Sequence, residues 1–155
     1  MDDSKLTKGN GYEGYKVKVM LVREGDKKYK RKKFYISSDV YEFLKPSMEN
    51  LDREHFVVIH LDVRNHAIGV EDTSIGSTAS IAVFPKDVLK GALLANASSI
   101  IIAHNHPSGE VEPSAEDRAL TKNLKQTCEL VGINLVDHII VGHEKYTSFA
   151  DRHEL

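Results

Sequence analysis

Residues 99–104, SIIIAH, constrain this chain more than any other stretch. A short run that is apolar at nearly every position has no face to show to water, so it belongs in the middle of a covered sheet. It stops at a histidine, and the turn-forming Pro107-Ser108-Gly109 follows. Residues 114–132, SAEDRALTKNLKQTCELVG, then carry the strongest helical pattern in the chain, opened by Ser114 and closed by Gly132. INLVDHIIVG and YTSFA read as closing strands. The fold must therefore be a sheet with helices laid on it.

The rest of the chain agrees. HFVVIHLDV (55–63) and TASIAVF (78–84) read as strands, and SDVYEFLKPSM (38–48) as a short helix with Ser38 as its N-cap, ended or bent at Pro46. KDVLKGALLANA, after Pro85, has helical spacing. Strands alternating with helices, with hairpins among them, predict an α/β (α+β) fold: a mixed β-sheet with flanking helices. Ahead of it, residues 1–14 are polar and glycine-bearing and are expected to be a flexible N-terminus, while 15–35 read as a basic hairpin extension. With 155 residues, 41% of them hydrophobic, the chain has material for one domain, taken here as 36–155. A net charge of −2 gives no global attraction to nucleic acid or membrane. The single Cys128 excludes an internal disulfide, and no leader or long apolar span is visible, so a cytoplasmic setting without membrane contact is expected.

The chemistry concentrates where SIIIAH ends. In an extended segment residues i and i+2 point the same way, so His104 and His106 can present both rings to one point. Asp117 sits in the first turn of the next helix, and the intervening turn can fold it back over the histidines. Two nitrogens and a carboxylate suit Zn²⁺, with a fourth position left for water as in catalytic sites. A non-haem iron also uses two histidines and a carboxylate. Ser114-x-x-Asp117 is in addition what a capping box looks like, and the two roles are compatible. Cys128 is excluded as a further ligand because it lies about 16 Å along the helix axis from Asp117 at ~1.5 Å per residue. Asn105, Ser108, Asp137 and His138 are candidates to hold the far ring nitrogens of the two histidines. The remaining histidines, 55, 60, 66, 143 and 153, read as ordinary, and the sequence leaves open that one of them encloses the metal as a fourth ligand.

His104-Asn-His106-Pro-Ser-Gly…Pro-Ser114-Ala-Glu-Asp117 resembles the JAMM (MPN+) metalloprotease motif, H-x-H-x7-S-x-x-D. The wider string NASSIIIAHNHPSGEVEPSAEDRALT…GINLVDHIIVG…YTSF resembles the RadC family of bacterial JAB-domain proteins, over about residues 35–150. The resemblance implies a JAB/MPN, cytidine-deaminase-like fold and one zinc per chain on His104, His106 and Asp117. It also implies that Glu54, the glutamate ahead of an upstream strand, is the general acid/base; by itself it reads as a solvated charge. Ser114 is then placed to donate to an oxyanion.

The activity expected on that basis is a zinc-dependent hydrolase, a metallopeptidase or isopeptidase acting on a peptide or isopeptide substrate. The family name is linked to DNA repair, so DNA or DNA-repair proteins are further expected partners. The segment before residue 35 does not look like the helix-hairpin-helix region that full-length RadC proteins carry. It holds the run KKYKRKK, with Lys28, Lys30, Arg31, Lys32 and Lys33, which reads either as a solvated edge or as a phosphate-contacting arm on which Tyr29 could stack. The alternatives are a metal-dependent nuclease or phosphoesterase, and a non-catalytic binding module. Nothing in the sequence sets the oligomeric state.

Overall fold

The structure, a computed structural model, describes residues 18–22, 32–75 and 83–155. Helix α1 (Ser37–Met48) leads into strands β1 (His55–Leu61) and β2 (Ala67–Ile75). Helix α2 (Pro85–Leu94), β3 (Ser99–Asn105), α3 (Ala115–Leu130), β4 (Asn134–Val141) and β5 (Tyr146–Ser148) follow. The strands form one mixed sheet in the order β2-β1-β3-β4-β5. β3 and β4 run parallel, and the other neighbours are antiparallel.

Helices cover both faces, which is why the central strands are apolar throughout. Val57 and Ile59 of β1, Ile101 and Ala103 of β3 and Ile139 of β4 pack with Val40, Leu44 and Met48 of α1. Residues of opposite parity, Phe56, Val58, Ile100 and Ile102, pack with Val88 and Leu89 of α2 and Leu124 and Cys128 of α3. SIIIAH thus lies at the centre of the sheet, between β1 and β4, as its composition requires.

Some expectations meet a different structure. The expected strand over 78–84 falls mostly outside the described residues, and its described end, Val83 and Phe84, leads into α2 without a strand. The strand that follows β1 and pairs with its outer edge is Ala67–Ile75, joined to it by a turn in which the Asp62 carboxylate accepts from the Arg64 and His66 amides at 2.8 and 3.0 Å. AIGVEDTSI escapes sequence reading because an edge strand, half covered, tolerates Gly69, Glu71 and Asp72. Of the basic hairpin expected over 15–35, residues 18–22 and 32–35 are described, and 18–22 are exposed and lie in no strand. The N-cap of α1 is Ile36 and not Ser38, and the Asp39 carboxylate accepts from the Ile36 and Tyr35 amides at 3.4 and 2.9 Å.

Cys128 is wholly buried on α3, and burial pushes its pKa up to about 11. The native protein should therefore resist a disulfide-exchange reagent at pH 8 and react stoichiometrically once denatured. Rapid native modification would show that α3 is not seated as described.

Candidate metal centre

β3 delivers His104 at its penultimate position, and pairing to β4 continues one residue past the strand, where the His106 amide donates to the Val141 carbonyl at 3.0 Å. Both rings therefore leave the sheet on one side. α3 returns over that side, with Ser114 as N-cap and Asp117 in its first turn. His104 Nε2 lies 2.9 Å from His106 Nε2 and 3.2 Å from Asp117 Oδ1, and His106 Nε2 lies 3.6 Å from Asp117 Oδ2. Tetrahedral zinc with bonds near 2.0–2.1 Å places its ligand atoms about 3.3 Å apart. The spacing fits one ion, and these three residues are the group among the described residues that could hold a metal.

The capping box is also present. Asp117 Oδ2 accepts from the Ser114 amide at 2.8 Å, and Ser114 Oγ accepts from the Asp117 amide at 3.0 Å. Capping orients the carboxylate and leaves Oδ1 for the metal side. Partial burial disfavours the Asp117 charge, but the imidazoles of His104 and His106 and the Ser114 amide prevail and hold its pKa well below the usual carboxylate range. The hydrogen bond to Asp117 raises the His106 pKa, with the Glu110 carbonyl and the charge of Glu54 adding to it against burial.

The far nitrogens are both held. His106 Nδ1 lies 2.8 Å from the Glu110 carbonyl, which can only accept, so the ring donates there and keeps its lone pair on Nε2. His104 Nδ1 lies 2.8 Å from His138 Nε2, which has no exposure to solvent. Burial, then the neighbouring His104, drives the His138 pKa well down.

The other three candidates touch neither ring. Ser108 Oγ accepts from the Glu110 amide at 3.3 Å and so steadies the loop whose carbonyl holds His106. Asp137 turns to the C-terminal strand, accepting from Ser148 Oγ at 2.6 Å and the Ala150 amide at 3.0 Å. Asn105 bridges two strands: its Oδ1 accepts from the His55 amide at 2.7 Å and its Nδ2 donates to the Arg53 carbonyl at 2.8 Å. These bonds clamp the backbone on either side of Glu54. Glu54 itself is half-buried at the head of β1, beside the Phe56–His104 pairing, and its charge acts on His106.

Lys32 and Lys33 are occupied locally. The Lys32 ammonium donates to the Asp39 carbonyl at 3.1 Å, and the Lys33 ammonium sits 4.9 Å from the Tyr35 ring centroid. Lys28, Lys30 and Arg31 lie outside the described residues.

Sequence reading missed Glu110 and Thr121. Glu110 acts through its backbone, which no side chain signals, and Thr121 looks like any helical threonine. Gly142 is also essential to the loop: a Cβ there would stand 2.4 Å from both the Gly109 carbonyl oxygen and Val111 Cγ1. Gly142→Ala should displace the loop and its Glu110 carbonyl, weakening zinc retention about tenfold in competition with a chelator. Unchanged retention would mean that the loop does not position His106.

A family model described as the RadC-like JAB domain matches residues 34–154. The chain belongs to this RadC-like JAB-domain family. Among its relatives, a UPF0758 protein of Pseudoalteromonas translucida is 40% identical over 98% of this chain and 70% of its own length. One of Clostridium novyi is 44% identical over 90% of this chain and 64% of its own. One of Symbiobacterium thermophilum is 45% identical over 73% and 48%. The chain thus spans between about half and seven-tenths of these relatives. The five-stranded mixed sheet with three helices is consistent with a JAB/MPN domain. No helix among the described residues is long and apolar enough to cross a membrane.

Proposed function

We propose that this RadC-like JAB domain is a zinc-dependent hydrolase of amide bonds, a metallopeptidase or isopeptidase of the JAMM type. The observation that carries the reading is the convergence of His104, His106 and Asp117, with the Glu54 carboxylate near enough for its charge to raise the His106 pKa. His104, His106 and Asp117 would hold a zinc ion, which would supply Lewis acidity to make water a nucleophile near neutral pH. Glu54 takes the proton of the attacking water and passes it to the leaving nitrogen, the two transfers that amide cleavage requires. Asn105, bonded to the backbone at residues 53 and 55, keeps that carboxylate in place. Ser114 Oγ accepts from the Asp117 amide, which leaves its own hydrogen to donate to the oxyanion.

The disposition of the nearby acids favours this over a two-metal nuclease, which needs further carboxylates turned to the centre. Glu110 pairs instead with Lys145 at 3.2 Å, and Glu112 with Arg118 and Arg152, both at 2.9 Å. The test is a panel of peptide, lysine-isopeptide and DNA substrates offered to the zinc-loaded chain. Chelator-sensitive amide cleavage is expected; cleavage confined to phosphodiesters would overturn the reading.

A further inference from the structure

We infer that Thr121 and His138 are positioning residues that fix which nitrogen of His104 carries its proton, so that Nε2 is delivered as a bare lone pair. The inference rests on His104 being a zinc ligand, as proposed above. Thr121 Oγ1 lies 2.6 Å from the Asp117 backbone carbonyl oxygen and 2.6 Å from His138 Nδ1, and His138 Nε2 lies 2.8 Å from His104 Nδ1. All three side chains are buried, with exposures of 1%, 0% and 4% for Thr121, His138 and His104. Water cannot stand in for a missing partner, so the chain of bonds must be satisfied from within.

Such a chain can in principle run in either direction, and only one direction suits a metal. Its direction is decided at the far end. Two oxygens 2.6 Å apart need a hydrogen between them, and a carbonyl has none to give. Thr121 therefore donates to Asp117, the bond a helical threonine makes to the carbonyl four residues back. Its hydrogen being used, the 2.6 Å contact to His138 is filled by His138 Nδ1–H. His138, wholly buried between Phe56 and Phe149 and with no carboxylate against it among the described residues, holds this one hydrogen, so its Nε2 lone pair accepts from His104 Nδ1–H. His104 is left with its lone pair on Nε2, the atom that faces His106 Nε2 and Asp117 Oδ1. Reversed, the same chain would place a hydrogen on His104 Nε2 and block it.

The circuit closes on Asp117, which supplies a carboxylate to the centre and, through its backbone carbonyl, the acceptor that orients His104. His138 joins it because β4 carries a bulge. Opposite the step from Ile100 to Ile101, the β4 partner moves from Leu135 to Asp137. Leu135 packs on the α3 side, so strict alternation would turn position 138 to the α1 side. The extra residue brings His138 under α3 and within reach of Thr121.

The test compares the full chain with Thr121→Val and Thr121→Ser. Zinc affinity is read by competition with a chromophoric chelator, and the His104 tautomer by long-range ¹H–¹⁵N NMR of the metal-free protein at alkaline pH. Thr121→Val keeps the shape but leaves His138 free to reverse, so zinc should bind about 10- to 100-fold more weakly and His104 should shift towards the Nε2–H form. Thr121→Ser restores the hydroxyl and should restore both. A valine variant with unchanged affinity and tautomer, or wild-type His104 found in the Nε2–H form, would overturn the inference. Wild-type protein that binds no zinc but shows His104 as Nδ1–H would instead sink the metal centre and leave the tautomer assignment standing. If the valine variant does not fold, the wild-type spectrum still decides.

Discussion

Glu54→Gln should keep full zinc content and the native fold while lowering turnover by on the order of 10²- to 10⁴-fold. The substitution preserves size and one acceptor but removes the ability to take and return a proton. Glu54 lies outside the group of three that converge on the centre, so metal retention does not depend on it. Its backbone surroundings survive as well, since Asn105 bonds the peptides at 53 and 55 and not the carboxylate. A residue at a solvated strand head would give a different result: a stability change within ~0.5 kcal/mol and no effect on rate. A fourth ligand would give a third, with zinc and rate falling together. Zinc content and rate measured on one preparation separate the three; full zinc with undiminished turnover would falsify the assignment.

The legible parts of this molecule are those in which side-chain periodicity and burial agree. SIIIAH announces a central strand because both of its faces are covered, and Ser114 and Asp117 announce the start of α3 because capping demands those side chains. The convergence of the three candidate ligands was legible for a similar reason: the period of two puts His104 and His106 on one side, and the cap of α3 presents Asp117 to them. β2 was not legible because an edge strand is only half subject to the rule that buries apolar residues. His138 was visible as a candidate, but its partner Thr121 was not, because that contact depends on a bulge in β4 that no residue type marks. Glu54 is the opposite case. Only the resemblance to the family singled it out, and what the structure adds is the Asn105 clamp on its backbone and its electrostatic reach to His106.

The second large effect concerns the ligands themselves. His104→Ala or Asp117→Ala should lose most of the bound zinc, because two remaining donors cannot hold the ion against water. The aspartate needs a control, since Asp117 also caps α3 and losing a cap costs about 1 kcal/mol. Asp117→Asn retains a capping oxygen while removing the charge, so its fold should be native and its zinc reduced. The direct measurement is the metal content of the full chain, purified without chelators, by elemental mass spectrometry alongside the His104→Ala and Asp117→Asn variants. About one zinc per wild-type chain, and well below that in both variants with native circular dichroism, is the predicted result; a wild-type chain without metal, or variants that hold as much as wild type, would contradict it.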